Sequence, residues 1–185
     1  MNYYISDLHF GHYNIIRLCH RPFESVEKMN ETLIRNWNSV VSPEDHVYIL
    51  GDLCYHSAYN VEYFLRQLKG HKYLIIGNHD KAFKDRHFDK KDLIWAKDYM
   101  ELHDGEHKIV LSHYPMVEWN GSFRGAIHLY GHIHNNTTNP AYRIMSQIDN
   151  AYNVGADILD FIPRTLDEVI TYNERFREQH GKGVC

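Results

Sequence analysis

The sequence has few of the features that mark secreted, membrane-spanning or disulfide-stabilised proteins. Its 185 residues include three cysteines, Cys19, Cys54 and Cys185, which are odd in number and lack CxxC spacing. This usage argues against a disulfide framework and for reduced thiols. There is no long uninterrupted apolar run and no charged amino terminus followed by an apolar segment. We therefore expect a cytoplasmic protein that does not bind a membrane.

An excess of positive charge is also missing. The chain has 20 Lys plus Arg against 24 Asp plus Glu and no basic block, so extended nucleic-acid binding is not expected. Nothing in the composition predicts whether the protein is a monomer or a homo-oligomer. The length suits one domain with a real core. We predict a single domain over residues 1–180 and a frayed tail over 181–185.

Histidine, in contrast, is abundant, with 15 residues. Five separated apolar runs have the length and the β-branched and aromatic content of buried strands, and a polar cluster follows each of them. In chain order these clusters are Asp7-Leu8-His9, Gly51-Asp52, Gly77-Asn78-His79-Asp80, His113 and Gly131-His132-Ile133-His134. In an open α/β sheet the loops at the carboxyl ends of strands line one crevice, so these side chains are expected to converge.

The first half of the chain alternates strands with helical patterns. Apolar residues at helical spacing predict a helix from Ser25, a plausible cap, to Val41, and a second helix over Asn60 to Leu68. These helices connect the first three strands in a βαβαβ order. That order predicts parallel pairing with right-handed crossovers.

The second half has a different pattern. Asp104-Gly105 is a strong hairpin signal between two short strands, so we expect the chain to become antiparallel there. Strands are predicted near Ile127 to Tyr130 and Asn150 to Val154. A closing helix over Leu166 to Phe176, capped by Thr165, completes the pattern.

The clusters offer seven candidate metal ligands, with imidazole nitrogens and carboxylate or amide oxygens but no thiolate. Such a set suits divalent Mn, Fe, Zn, Co or Ni better than Cu(I) or Ca. It is too large for one tetrahedral site and suits two adjacent ions that share a bridging carboxylate such as Asp52. The candidate ligands are Asp7, His9, Asp52, Asn78, His113, His132 and His134. Cys54 is either a further ligand or, more commonly for such a residue, a buried structural thiol.

Two divalent ions would outweigh the negative charge of Asp7 and Asp52, even with a bridging hydroxide. Such a centre attracts anions such as phosphate esters and stabilises their transition states. Two-metal hydrolases generate a hydroxide near neutral pH for in-line attack, and this chemistry also needs a proton donor for the leaving group. His79 lies next to Asn78 and is the candidate for this role, either protonating the leaving oxygen or hydrogen-bonding the phosphoryl oxygens. Asp80 is predicted to fix the tautomer of His79.

Together and in this order, the five motifs resemble those of the calcineurin-like metallophosphoesterases, over about residues 2–175. Gly77-Asn78-His79-Asp80 is the most specific of them. The resemblance implies an α/β fold that is a four-layer α/β/β/α sandwich with mixed sheets. It also implies a dinuclear site, with manganese the first candidate metal and Fe, Zn, Ni and Co the alternatives. Asp7, His9 and His134 would bind one ion, Asn78, His113 and His132 the other, and Asp52 both.

Departures from the family pattern narrow this interpretation. Asp52 is followed by Leu53-Cys54-Tyr55-His56, where the Ser/Thr protein phosphatases continue with Asp-Arg-Gly. The chain also lacks the additional domain of the DNA-repair nucleases, so it resembles the small bacterial or phage-type branch. We expect a metal-dependent hydrolase acting on a small phosphodiester or phosphomonoester. The alternatives are a non-catalytic metal-binding scaffold with the same fold, and a small nuclease or cyclic-nucleotide phosphodiesterase.

Two further residues have open interpretations as substrate contacts. His12 either faces the site from the first loop or caps the following helix. Arg21 either grips a substrate phosphate with its guanidinium or pairs with a surface carboxylate such as Glu24.

Overall fold

The computed structural model describes residues 1–84 and 91–181. The strands are β1 (Asn2–Ile5), β2 (His46–Ile49), β3 (His71–Ile75), β4 (Trp95–Lys97), β5 (Tyr99–Asp104), β6 (His107–Ser112), β7 (Ile127–Tyr130) and β8 (Ala151–Asn153). The helices are α1 (Tyr13–Leu18), α2 (Val26–Val40), α3 (Val61–Leu65), α4 (Pro140–Met145) and α5 (Leu166–His180). The strands form two sheets of four, in the orders β1-β2-β3-β4 and β5-β6-β7-β8. Of the predicted tail, only Gly181 lies within the described residues.

The first sheet is parallel throughout, as the βαβαβ pattern predicts. The predicted α2 is confirmed, and the Ser25 side chain accepts a hydrogen bond from the backbone N–H of Lys28 at its start. The predicted helix at Asn60 is confirmed at its cap but is shorter than expected. The α-helix ends at Leu65, because the residues after it form hydrogen bonds to the residue three positions earlier. One example is the bond from Gln67 N–H to the carbonyl of Phe64.

The second sheet begins with the predicted hairpin, but the rest of it differs from the expectation. Strands β5 and β6 are antiparallel, whereas β6, β7 and β8 are parallel to one another. Asp104 pairs with His107, so the two-residue turn is Gly105-Glu106, one residue later than predicted. Asp104 extends the strand because its carboxylate accepts hydrogen bonds from Asn2 and from the Tyr4 hydroxyl of the first sheet. The prediction of an antiparallel second half is therefore wrong beyond the pair of β5 and β6.

Three apolar clusters define the layers. One packs α1, α2 and α3 on the first sheet, the second fills the space between the two sheets, and the third packs α4 on the outer face of the second sheet. Helix α5 contributes Leu166 and Val169 to the second cluster, with Phe176 packed against the third. The predicted four-layer α/β/β/α sandwich is confirmed, and of its two sheets the second is mixed. Over residues 1–84 and 91–181, none of the helices has both the length and the apolar character needed to span a bilayer.

Candidate metal centre

The polar clusters meet where β1, β2, β3, β6 and β7 end, and backbone hydrogen bonds join their loops. The N–H of Asp7 donates to the carbonyl of Gly51 at 2.9 Å, and the N–H of His9 donates to the carbonyl of Asp52 at 2.9 Å. On the other sheet, the N–H of Gly131 donates to the carbonyl of His113 at 3.0 Å. Parallel pairing places the carboxyl ends of the strands on one edge, and these bonds fix the loops there.

Five of the seven candidate ligands have left-handed backbone conformations, with φ of 55° at Asp7, 53° at His9, 53° at Asp52, 70° at His132 and 50° at His134. Residues with a Cβ rarely adopt this region. Each such residue costs of order 1–3 kcal/mol and persists only where the surrounding structure holds it. The backbone of the site is therefore strained to aim these side chains inward.

The first donor group contains Asp7, His9 and His134, whose ligand atoms lie within 4.8 Å of one another. Nε2 of His9 is 4.0 Å from Oδ1 of Asp7, and Nε2 of His134 is 3.9 Å from the same oxygen. These separations are too long for hydrogen bonds. When two ligand atoms each lie about 2.1 Å from the same metal ion, they are roughly 3–3.5 Å from each other. The separations of the two histidine nitrogens from Asp7 are close to this range. Among the described atoms, Oδ1 of Asp7 and both ring nitrogens of His9 are buried without a hydrogen-bond partner.

The second group contains Asp52, His113 and His132, with Asn78 beside them. Nε2 of His113 is 3.6 Å from Oδ2 of Asp52 and 3.0 Å from Oδ1 of Asn78. Oδ2 of Asp52 is also 3.6 Å from Nε2 of His9, which belongs to the first group. One carboxylate oxygen thus lies between the two donor groups, in the position that a bridging ligand needs.

Hydrogen bonds on the opposite ring nitrogens determine which nitrogen faces the site. Nδ1 of His113 donates to the carbonyl of Leu50 at 2.8 Å, and Nδ1 of His134 donates to Oδ2 of Asp157 at 2.8 Å. In the neutral imidazole this leaves the lone pair on Nε2, the atom turned toward the carboxylates. Oδ2 of Asp7 accepts from the Ser6 hydroxyl and the His132 N–H, which leaves Oδ1 for the site.

Burial and neighbouring charges shift the pKa values of several groups at this site. Burial lowers the pKa of His134, but the carboxylates of Asp7 and Asp157 outweigh it and raise that pKa to about 11. Burial raises the pKa of the Asp52 carboxyl and holds the pKa of His9 well below its usual value. The charge, the nitrogen and oxygen donors and the unpartnered buried atoms all fit divalent metal ions. A third group, Cys19, His134 and Asp157, shares His134, but Arg21 already neutralises its carboxylate.

Three glycines allow the loops to approach so closely. A Cβ on Gly51 would lie 2.3 Å from Nδ1 of His113, and one on Gly77 would lie 2.3 Å from Oδ1 of Asp52. A Cβ on Gly131 would lie 2.3 Å from the Ser6 hydroxyl oxygen. These three glycines are thus part of the candidate site, because a larger residue would displace a candidate ligand or its support.

His79 and Asp80, the predicted catalytic pair, are placed differently from each other. Nε2 of His79 lies 3.9 Å from Oδ2 of Asp52, and 29% of its side chain is exposed. Asp80 is buried, and its carboxylate accepts from the backbone N–H groups of Asp52, Leu53 and Gly77 rather than contacting the His79 ring. The predicted tautomer-fixing role of Asp80 is therefore corrected. The chain bends back at this point, with the Asp80 N–H donating to the carbonyl of Gly77, and this directs the carboxylate inward.

Arg21 has neither of its predicted partners. Its side chain is buried, and it pairs with Asp157, with Nε 2.7 Å from Oδ1, while also donating to the carbonyls of Asp7 and Leu8. It is thus not available to grip a substrate phosphate, and it does not pair with Glu24. Asp157 was missed at the sequence level, because it is a lone carboxylate with no histidine beside it; its position shortly after the predicted strand Asn150 to Val154 and Gly155 was the signal that could have found it.

His12 occupies the N-cap position of α1, but its side chain makes no capping bond. Its ring packs against His9 and Tyr55, with centroids 5.3 and 4.8 Å away, and it lines a cavity of about 550 Å³ next to the donor groups. His79 also lines this cavity. Its lining also includes the apolar Ile15 and Leu18 and several Asn residues. Cys54 is not in either donor group, and burial raises the pKa of its thiol to about 11.

Comparison with known proteins gives relatives over almost the whole chain. No family model matches the sequence. The uncharacterized protein MJ1445 from Methanocaldococcus jannaschii is 35% identical over 175 residues, which cover 94% of this chain and 91% of that protein. The gene 66 protein of mycobacterium phage L5 is 29% identical over 160 residues, which cover 71% of this chain and 76% of that protein. The solved structure of AQ665, a protein of unknown function from Aquifex aeolicus, has 28% identity and a TM-score of 0.70. The match covers 92% of this chain and 98% of that one.

Proposed function

Since this chain belongs to the calcineurin-like metallophosphoesterases, in the same family as MJ1445, we propose that it hydrolyses small phosphoesters in a metal-dependent reaction. The observation that carries the proposal is the position of Asp52. Its Oδ2 lies 3.6 Å from Nε2 of His9 and 3.6 Å from Nε2 of His113, so one carboxylate joins two complete donor groups. This arrangement suits a dinuclear centre better than a single ion.

In this proposal Asp7, His9 and His134 would hold one divalent ion, Asn78, His113 and His132 would hold the other, and Asp52 would contribute to both. Manganese is the first candidate, and the mixed nitrogen and oxygen donors also suit Fe, Zn, Ni and Co. When bound, the two ions supply positive charge for the phosphoryl oxygens and a nucleophile near neutral pH. The substrate is a phosphodiester or a phosphomonoester small enough for the adjoining cavity of about 550 Å³.

His79 acts on the leaving group in this proposal. Its ring lies beside Asp52 and is partly exposed to the cavity, so it reaches both the reacting phosphate and solvent. From this position it donates a proton to the leaving oxygen or a hydrogen bond to a phosphoryl oxygen. His12, which lines the same cavity, contacts the substrate in this proposal. The presence of His79 beside a complete ligand set favours an enzyme over the non-catalytic scaffold.

The test is a hydrolysis screen of metal-free protein reloaded separately with Mn, Fe, Zn, Ni and Co. The substrates are bis-p-nitrophenyl phosphate, p-nitrophenyl phosphate, cyclic nucleotides and nucleoside polyphosphates. Asp52→Asn is the matched variant, because it keeps the shape of the bridge but removes its charge. We expect turnover only with metal and a loss of at least about 100-fold in the variant, because a neutral amide would hold two ions poorly and the positive charge that they supply to the transition state would be lost.

Two results would contradict the proposal. A protein that binds metal but turns over no phosphoester would support the scaffold instead. Equal rates for the wild type and Asp52→Asn would show that any observed hydrolysis does not use this centre.

A further inference from the structure

Arg21 and Asp157 form an ion pair in the interior of the protein. Nε of Arg21 is 2.7 Å from Oδ1 of Asp157 and Nη2 is 3.2 Å from Oδ2, with side-chain exposures of 0% and 1%. The two residues are 136 positions apart in the chain. Burying two charges costs more desolvation energy than an ion pair usually returns, so stability alone is a poor explanation for it.

The remaining donors of Arg21 hold the loop that follows β1. Nη2 donates to the carbonyl of Asp7 at 2.6 Å, and Nη1 donates to the carbonyl of Leu8 at 2.9 Å. Asp7 and His9 in this loop have φ of 55° and 53°. Charge-assisted hydrogen bonds to two successive carbonyls are strong enough to stabilise such a backbone.

Asp157 holds the other side of the same donor group. Its Oδ2 accepts the hydrogen bond from Nδ1 of His134 at 2.8 Å, which turns Nε2 of His134 toward Asp7. The guanidinium and the carboxylate therefore connect the loop after β1 with the loop after β7. The pair thus supports the backbone at Asp7 and Leu8, just before His9, and the ring of His134.

We propose that Arg21 and Asp157 are positioning residues for the first metal site and leave the second site unaffected. The proposal rests on the metal centre of the proposed function. The second group is supported by other contacts, among them the carbonyl of Leu50 on His113 and the Asp80 carboxylate on the N–H of Asp52. Loss of the pair is thus expected to loosen one ion selectively, whereas a general loss of stability would affect both.

The experiment is Mn²⁺ titration of the metal-free protein by calorimetry, with the visible absorption of the Co²⁺-loaded protein as a second readout. The variants are Asp157→Asn, which keeps the shape but removes the charge, and Arg21→Lys, which keeps the charge but loses the fork. Tyr4→Phe is the control, because it removes a hydrogen bond of 2.8 Å to Asp104 at the opposite end of the sheet.

We expect Asp157→Asn to weaken one of the two Mn²⁺ binding steps by about 10- to 100-fold, as loss of a ligand's supporting contact does, and to leave the other within about 2-fold. The Co²⁺ spectrum should change in intensity for the weakened site. Arg21→Lys should weaken the same step and serves in place of Asp157→Asn if that variant does not fold. Tyr4→Phe should leave both steps unchanged.

Unchanged binding steps in folded variants, or equal weakening of both steps, would overturn the proposal. So would a wild type that binds no divalent ion. A wild type that binds two ions but hydrolyses no phosphoester would overturn the proposed activity and leave this inference standing. An active wild type whose Asp157→Asn variant binds metal normally would overturn this inference and leave the proposed activity standing.

Discussion

Oδ2 of Asp80 accepts a hydrogen bond of 2.7 Å from the backbone N–H of Asp52. The same oxygen accepts from the N–H of Gly77 at 2.9 Å, and Oδ1 accepts from the N–H of Leu53 at 3.0 Å. A single buried carboxylate therefore fastens the loop after β2 to the loop after β3. The left-handed backbone at Asp52, with φ of 53°, is held by these contacts.

Replacing Asp80 with Asn tests this fastening. The amide has one oxygen, so its NH₂ group would face a backbone donor and leave it unpaired in the interior. We expect the free energy of unfolding to fall by about 1–3 kcal/mol, the cost of an unsatisfied buried group. Urea unfolding of the metal-free protein measures this. Asp149→Asn, at an exposed position, is the control and should be neutral. Equal stabilities of Asp80→Asn and the wild type would show that the three bonds are not needed.

The fold was predictable from the sequence where capping residues and the spacing of apolar residues indicate the same element. The apolar face of α2 and its Ser25 cap specify the helix to within a residue at each end. The direction of β7 relative to β6 was not predictable, because the connecting residues 113–126 have no helical periodicity to signal a crossover. Within that segment the structure has only a short 3₁₀ turn, Ser122–Arg124.

The candidate site was predictable to the extent that ligands and glycines stand together in short motifs. The supports of the ligands were not. Asp157 pairs with Arg21 across 136 positions, and nothing next to either residue signals the pairing. Asp80 was assigned to its neighbour His79 because they are adjacent in sequence, but the bend at Gly77 turns its carboxylate away. Sequence adjacency predicts which residues share a loop and not which way each side chain points.

Gly131→Ala should damage the first donor group sterically. The added Cβ would lie 2.3 Å from the Ser6 hydroxyl oxygen and 2.5 Å from Oδ2 of Asp7. We expect a destabilisation of about 1–3 kcal/mol from overpacking, together with weaker Mn²⁺ binding. The control is Gly125→Ala, because an added Cβ meets nothing within 4 Å there, although its φ of 82° adds backbone strain. Unfolding and metal titration of both variants measure the effect. Intact metal binding by Gly131→Ala would contradict it.

His128 should make stability fall in mild acid. It is fully buried between Trp119 and Tyr130 and contacts the Val110 carbonyl and the Met116 N–H. Burial lowers its pKa from 6.5 to about 4, although two backbone carbonyls oppose the shift. As the pH falls, His128 is therefore protonated in the unfolded chain before it is protonated in the folded protein. The contribution of His128 is complete above about pH 6.5 and is lost as the pH falls toward 4.

The measurement is the free energy of unfolding of the metal-free protein between pH 6.5 and 5, for the wild type and His128→Gln. Gln keeps a donor and an acceptor but does not titrate. Over this range we expect the wild type to lose about 1 kcal/mol more per pH unit than the variant, approaching about 1.4 kcal/mol per unit, the value for one proton, at the lower pH. The other histidines titrate in both proteins and cancel in the comparison. Parallel pH profiles would contradict the prediction.

His79→Ala should separate proton donation from simple charge stabilisation. A general acid matters most when the leaving oxygen is basic, and little for nitrophenolate, which departs without a proton. We expect kcat to fall by about 100- to 10,000-fold with an alkyl phosphoester and much less with a p-nitrophenyl ester, with metal content unchanged. His103→Ala, at an exposed position away from the centre, is the control. A similar loss with both leaving groups would assign His79 to the phosphoryl oxygens instead, and unchanged rates would remove it from the reaction.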